Sequence, residues 1–297
     1  MIRMLLRLRI ADIGDAKKVL PNYFDISEGR RTASYLKSKQ VSVDTDFGES
    51  EDKLWGAHSE AVKRMRSDEL AEAPKTSLLD LKLKLARHML LSCELCERRC
   101  AKDRMRGDPG HCGVLQSRIS TEFLHWGEEP ELVPSHTIFF SGCTFNCAFC
   151  QNWDISQNPK SGDIKSPGRV AEIIERRADS ARNVNWVGGD PTSNLPFILE
   201  ALTECSVNIP QVWNSNMYLT EESMSLLDGV IDLYLTDFKY GNSRCAKRLS
   251  NVKDYWDIIT RNHAIARAQC EMIIRHLVLP GHFECCSKPA HPPGSPR

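Results

Sequence analysis

The sequence predicts an α/β fold built on a mainly parallel sheet, preceded by a helical and irregular N-terminal region. Three observations carry this. Five short β-rich runs recur from residue 136 onward, helical stretches separate them, and Gly, Asn, Asp and Cys residues gather just after the runs. Strands alternating with helices read as right-handed βαβ units, and in such sheets ligands bind at the carboxyl ends of the strands.

The first run, His136 to Phe140, stops at Ser141-Gly142. A helix is predicted from Arg169 to Ala181, with Pro167 and Gly168 before it. The second run, Asn183 to Val187, ends in Gly188-Gly189, and residues 196–205 follow as a helix. Residues 210–213 form the third run, and Thr220 to Met224 opens another helix. The fourth run spans Val230 to Thr236, Asp254 to Gln269 reads as a long helix, and Met272 to Leu279 is the fifth run, stopped by Pro280-Gly281. Upstream, Ser77 and Asp80 form a capping box, and Leu78, Leu81 and Leu85 follow at helical spacing. Residues 1 to about 75 are polar and irregular with short candidate helices, and Lys37 to Glu51 reads as a loop. Trp153, Trp186 and Trp213 are expected to pack.

Composition narrows the function. The chain has 297 residues, 41% hydrophobic and 26% charged, and a formal net charge of zero. Bulk charge therefore gives no support for a nucleic-acid partner. Arginines interrupt the apolar residues of the N-terminus, so no secretory h-region is expected there, and Asp12 and Asp15 count against organelle targeting. No run of about 20 apolar residues is available to span a membrane. A cytoplasmic location is expected.

Twelve cysteines are many for such a chain, and their clustering points away from a disulfide framework. Cys143, Cys147 and Cys150 follow the first β-run at C-x3-C-x2-C spacing. Three thiolates on one loop suit an iron–sulfur cluster or zinc. With no fourth cysteine close by in sequence, one iron of a [4Fe–4S] cube would stay open to an outside ligand. Cys93, Cys96, Cys100 and Cys112 form a second group, C-x2-C-x3-C-x11-C, with Gly107, Pro109, Gly110 and Gly113 supplying turns. Four thiolates suggest a closed site, either structural zinc or a second iron–sulfur cluster. Arg98, Arg99, Lys102, Arg104 and Arg106 make this segment basic, which is most simply a solvated face.

The Cys143–Cys150 loop, with Phe149 before its last cysteine, resembles the signature of the radical S-adenosylmethionine (SAM) superfamily. Gly188-Gly189-Asp190-Pro191 resembles that family's Gly-Gly-Glu-Pro motif. Trp213 to Tyr218 resembles its Asp-Thr-Asn-Gly segment, Leu235 to Lys239 its Leu-Asp-Leu-Lys segment, and Arg275 to Gly281 its Arg-x-x-Val-x-Pro-Gly strand. Together they resemble the pyruvate formate-lyase activating enzymes and their relatives with an extra N-terminal cysteine-rich segment, over roughly residues 90–288. Asp190 stands where the family usually has Glu, and Asn214 where the activating enzymes have Asp.

The resemblance implies a partial (β/α) barrel of the radical SAM type, with about five of six strands. Its divisions would be an N-terminal extension (1–90), a cysteine-rich segment (91–130), a radical SAM core (131–288) and a disordered tail (289–297). It implies an oxidoreductase-type enzyme that reductively cleaves SAM to a 5′-deoxyadenosyl radical and abstracts hydrogen from a substrate, as in activation of a glycyl radical enzyme. The cofactors would be a [4Fe–4S] cluster on Cys143, Cys147 and Cys150, SAM, and a second cluster or zinc. Gly188, Gly189, Asp190, Asn214, Asn216, Asp237 and Lys239 would line the SAM site, and no catalytic residue beyond the cluster and SAM is implied. An electron donor such as flavodoxin or ferredoxin is the expected partner, with a protein substrate and without nucleic acid or membrane. The core looks short at its C-terminus, so a truncated, non-catalytic iron–sulfur or zinc protein is the alternative.

Overall fold

The computed structural model describes residues 13–279. The predicted ends, including Pro280-Gly281 and the tail, lie outside the described residues. Five helices come first: α1 (Ile13–Val19), α2 (Pro21–Ser27), α3 (Ser34–Gln40), α4 (Glu51–Arg66) and α5 (Leu78–His88). The cysteine-rich segment follows. The remainder is β1 (Ile119–His125), β2 (Ser135–Phe140), α6 (Trp153–Ser156), α7 (Pro167–Arg177), β3 (Asn183–Gly188), α8 (Leu195–Glu204), β4 (Gln211–Ser215), α9 (Glu221–Leu227), β5 (Leu233–Phe238), α10 (Ser243–Ser250), α11 (Tyr255–Gln269) and β6 (Glu271–His276).

The six strands form one sheet in the order β1 to β6. β2 to β6 are parallel and in sequence order, as the alternation of strands and helices requires, and β1 pairs antiparallel with β2. The five predicted runs are the five parallel strands. The sixth strand, β1, lies at the opposite edge from the one expected, and the described sheet is open rather than a closed barrel.

Alternation along the strands sorts the two faces. Ile138, Phe140, Trp186, Trp213 and Tyr234 enter the main core with α5, α8 and α9. Val212, Leu233 and Leu235 point the other way, onto Ala16, Leu20, Tyr23 and Phe24 of the N-terminal helices. The main core runs without a break from Ile26 to Ala266, so the N-terminal region shares it. Trp186 and Trp213 are fully buried as expected, whereas Trp153 is 67% exposed and packs little.

Helices α2 and α3 sit at the amino ends of the strands and are held there by strand-end side chains. Glu271 accepts the backbone N–H groups of Asn22 (2.8 Å) and Tyr23 (2.9 Å). Asp232 accepts that of Ser34 (2.9 Å), and Asn208 that of Ala33 (2.8 Å). Carboxylates at helix starts satisfy free N–H groups and oppose the helix dipole. The capping box forms at α5, where Ser77 and Asp80 exchange hydrogen bonds. Such a cap contributes about 1 kcal/mol.

Lys82, midway along α5, is fully buried. Its ammonium donates to His58 Nε2 (2.8 Å) and to the Ser225 carbonyl (3.2 Å). Burial lowers its pKa to about 7, with the Asp228 carboxylate opposing and Arg66 adding to the shift. The folded chain thus binds this proton more weakly than the unfolded chain, whose reference value is 10.5. Stability attributable to Lys82 therefore rises as pH climbs from about 7 towards 10.5. Urea midpoints measured across that window should rise with pH, and Lys82→Met should flatten the slope. An unchanged slope in the variant would remove Lys82 as its source.

Candidate active site

The carboxyl ends of β2 to β5 converge on one region. After β2 the chain turns through Gly142, whose φ of +87° and close approach to Val114 leave no room for a Cβ. Its N–H donates to the Ile155 carbonyl (2.9 Å). The loop beyond is pinned from α10, since the N–H groups of Asn146 and Ala148 donate to the carbonyls of Ser250 (3.1 Å) and Leu249 (2.8 Å). Phe145 is buried edge-on against Tyr218, and the half-buried Phe149 meets Tyr240 edge-on. The loop is thereby fixed by packing and backbone bonds.

Each of its three sulfurs has a polar neighbour. Cys143 Sγ accepts from the Phe145 N–H (3.3 Å), Cys147 Sγ from Ser250 Oγ (2.9 Å), and Cys150 Sγ lies 3.3 Å from Ser156 Oγ. Burial pushes the Cys147 thiol upward, and the Lys239 ammonium pulls it back. Soft thiol donors, hydrogen-bond donors aimed at sulfur and a neighbouring cation suit a thiolate-bound cluster. Among the described residues no three His, Cys, Asp or Glu side chains converge closely enough to share one metal ion. A cubane makes no such demand, because each thiolate binds its own iron.

β3 ends in Gly188, Gly189 and Asp190. Gly188 has φ +126°, and an added Cβ would meet the Phe140 nitrogen at 2.1 Å. The pair lets the turn lie against the base of the cysteine loop, where Gly189 N–H donates to Phe140 O (2.8 Å) and Asp190 N–H to Gly142 O (3.0 Å). Asp190 is almost wholly buried. Its carboxylate accepts the N–H groups of Thr192 (2.9 Å) and Asn216 (3.0 Å) and the Ser215 hydroxyl (3.1 Å). Burial raises its pKa and these bonds oppose the rise. Three of about four acceptor sites are thus taken by the protein. In the turn that follows, Thr192 Oγ1, Ser193 Oγ and the Asn194 amide are buried without partners among the described residues, hydrogen-bonding capacity left unfilled there.

The predicted Asn pair divides. Asn216 reaches the cysteine loop, donating to Thr144 Oγ1 (2.8 Å) and lying 3.8 Å from Cys143 Sγ. Asn214 points to the opposite sheet face, 3.5 Å from Arg275. Asp237 and Lys239 pair at 2.5 Å. Burial alone would lower the Lys239 pKa, but the Asp237 carboxylate outweighs it and raises the value. The Tyr255 hydroxyl accepts the Lys239 N–H (2.7 Å) and fixes the segment.

Sequence reasoning missed Ser156, Ser250 and Thr144, whose hydroxyls face the sulfurs or Asn216. It also missed a polar network on the Asn214 face. There Arg275 bonds Glu129 (2.7 Å) and Glu128, and Glu128 accepts from Asn185 (3.2 Å). His125 Nδ1 lies 3.1 Å from Glu128 Oε1 in the same network. Cys93, Cys96, Cys100 and Cys112 stand beside the cysteine loop, all free thiols.

An α/β sheet that offers three thiols at its carboxyl edge defines a protein equipped to carry thiolate-bound metal. A family model described as the radical SAM superfamily matches residues 137–286, and the chain belongs to that superfamily. Its cofactors are accordingly a [4Fe–4S] cluster and SAM. An uncharacterized protein of Methanocaldococcus jannaschii is 47% identical over 279 residues, covering 91% of this chain and 82% of that protein. A 7-carboxy-7-deazaguanine synthase of Methanothermobacter thermautotrophicus is 26% identical over 153 residues, half of this chain and 62% of the synthase. The crystal structure of QueE from Escherichia coli matches at 17% identity with a TM-score of 0.31, over 62% of this chain and 92% of that one. No helix among the described residues is long and apolar enough to cross a membrane.

Proposed function

We propose that this chain cleaves SAM reductively at a cluster held by Cys143, Cys147 and Cys150 and uses the product to abstract hydrogen from a substrate. The observation that carries this is the cysteine loop itself, with three sulfurs each met by a hydrogen-bonding group at the carboxyl end of β2. When bound, the cluster and SAM supply a one-electron cleavage of a sulfonium C–S bond and a primary radical that abstracts hydrogen.

The chain's own residues orient and insulate. Gly188 and Gly189 offer backbone carbonyls at the β3 turn, and Asp190 keeps one acceptor site for the SAM amino group. The half-buried Asp237–Lys239 pair presents an ammonium to the SAM carboxylate. Asn216 links the SAM region to the loop at Thr144, and Asn214 faces the substrate side with Arg275. Phe145, Phe149, Tyr240 and Tyr255 wall off water, which protects a reactive radical from side reactions. An external one-electron donor such as flavodoxin or ferredoxin would reduce the cluster.

Within this chemistry the motif resemblance favours a backbone glycine of a partner protein as the hydrogen donor. The likeness to a 7-carboxy-7-deazaguanine synthase keeps a small-molecule substrate as the other reading. Anaerobically reconstituted, dithionite-reduced protein should show a [4Fe–4S] EPR signal that changes with SAM, and should release 5′-deoxyadenosine. Deuterium carried into that product from proteins labelled at glycine Cα would support the glycyl reading. SAM cleavage without such transfer would remove it, and a signal indifferent to SAM would remove the enzymatic reading.

A further inference from the structure

We infer that Cys93, Cys96, Cys100 and Cys112 hold a second iron–sulfur cluster, closed by four thiolates and braced against the loop of Cys143, Cys147 and Cys150. This goes beyond the proposed reaction and depends on different ligands.

The backbone gathers the four. Cys93 N–H donates to the Lys102 carbonyl (2.9 Å) and Ala101 N–H to the Cys93 carbonyl (3.1 Å), which folds residues 100–102 back beside Cys93. Arg99 N–H closes a turn onto the Cys96 carbonyl (2.9 Å). His111 N–H donates to Cys100 Sγ (3.2 Å), which brings Cys112 alongside, and a Cβ at Gly110 would stand only 3.2 Å from the same sulfur. Arg99 and Ala101, on either side of Cys100, have φ of +39° and +50°. Left-handed backbone at non-glycine residues costs about 1 kcal/mol or more at each position, and such strain collects at functional sites.

The second observation is Arg104. It is 7% exposed, and among the described residues its guanidinium bonds only Cys93 Sγ (3.9 Å) and the Ser193 carbonyl (3.0 Å), with Nε left without a partner. No carboxylate pairs with it among the described residues. Burying an uncompensated cation is expensive. Neutral thiols would not balance it, whereas four thiolates on a cluster leave the net negative charge that it needs.

The arrangement favours a cluster over zinc. The site borders the loop where the proposed SAM cleavage needs an electron, and an iron–sulfur cluster can relay one whereas zinc is redox-inert. The bracing is direct. Arg98 donates through Nε (3.0 Å) and Nη2 (2.9 Å) to the carbonyl of Thr144, next to Cys143, and through Nη1 to the Asn251 carbonyl (2.6 Å). His111 Nε2 lies 3.1 Å from Asn146 Oδ1, next to Cys147. Cys96 pairs with Leu219 as an antiparallel bridge, just past Asn216. The two cysteine segments therefore share a border.

Iron, sulfide and zinc analysis of the anaerobically reconstituted full chain tests this. The expected content is about eight irons per chain, four for each [4Fe–4S] cluster, without stoichiometric zinc. A Cys143→Ala, Cys147→Ala, Cys150→Ala triple variant should keep about four irons and an EPR signal indifferent to SAM. Arg104→Gln should keep those irons and shift their reduction potential to more negative values. About four irons with one zinc in the full chain, or a soluble triple variant without iron, would overturn the inference. Should the triple variant not fold, the metal content of the full chain decides alone. Failure of SAM cleavage in a protein holding both clusters would sink the proposed function and leave this inference standing.

Discussion

Replacing Cys147 with alanine is expected to abolish the SAM-responsive EPR signal and reduce 5′-deoxyadenosine release to background. Cys147 is the middle of the three proposed ligands in its loop. The hydroxyl of Ser250 bonds its sulfur at 2.9 Å, and the Lys239 ammonium lies close enough to favour the thiolate. With two thiolates left, one more iron loses its anchor, and a cube with two open irons is labile. Cys147→Ser should fare little better, because a hard hydroxyl is a poor substitute for soft sulfur. Ser250→Ala is the informative control. It removes a hydrogen bond to sulfur without removing a ligand, so iron should stay while the reduction potential falls. Wild-type SAM cleavage by Cys147→Ala would show that the radical-generating cluster is held elsewhere.

Gly189→Ala should be among the most damaging single substitutions in the chain. The added Cβ would lie 2.0 Å from the Gly142 carbonyl oxygen, 2.6 Å from its carbon and 3.1 Å from Ser156 Cα. All three are backbone atoms, so no rotamer change relieves the clash. The Gly189 and Asp190 N–H bonds that join β3 to the cysteine loop occur at the same place. Forcing the segments apart would break them and displace Cys143 as well. A loss of about 4 kcal/mol or more is expected, the extreme of single-substitution effects, with failure to retain iron. Gly168→Ala, at the start of α7 with nothing within 4 Å of its added Cβ, should be neutral or stabilising by up to about 1 kcal/mol. Equal urea midpoints for the two variants would contradict the close approach at Gly189.

The parallel strands were legible because each is a short β-rich run cut off by glycine, proline or a polar turn. β1 was not. Ile119 to His125 mixes Ser, Thr, Glu and His with its apolar residues, and most of the strand is only half-buried at a sheet edge, so no clean alternation marks it. Helix α4 was missed as well: the face it buries, Leu54, His58, Ala61 and Val62, has helical spacing, but a histidine and two small or short apolar residues make it a weak stripe among many charges. In the site, spacing revealed both cysteine groups because thiols are rare and their clustering is informative. Ser156 and Ser250 carry no such signal, since their proximity to sulfur exists only after folding. The basic segment from Arg98 to Arg106 reads as a solvated face. Folding sends Arg104 inward to Cys93 and spends Arg98 on the neighbouring loop, whereas Arg106 stays largely exposed.

The clamp between Glu271 and helix α2 has a consequence for how the molecule assembles. Its partners are separated by 248 and 249 positions along the chain. During synthesis the first helices emerge long before the glutamate that holds their amino end, and their apolar side waits for Val212, Leu233 and Leu235. Such distant pairings are slow to form because the intervening chain must be closed first. A segment made well before its partners is therefore among the last to be secured, and until β4 and β5 are made Tyr23 and Phe24 lack the strand residues that cover them, a surface that a chaperone could hold.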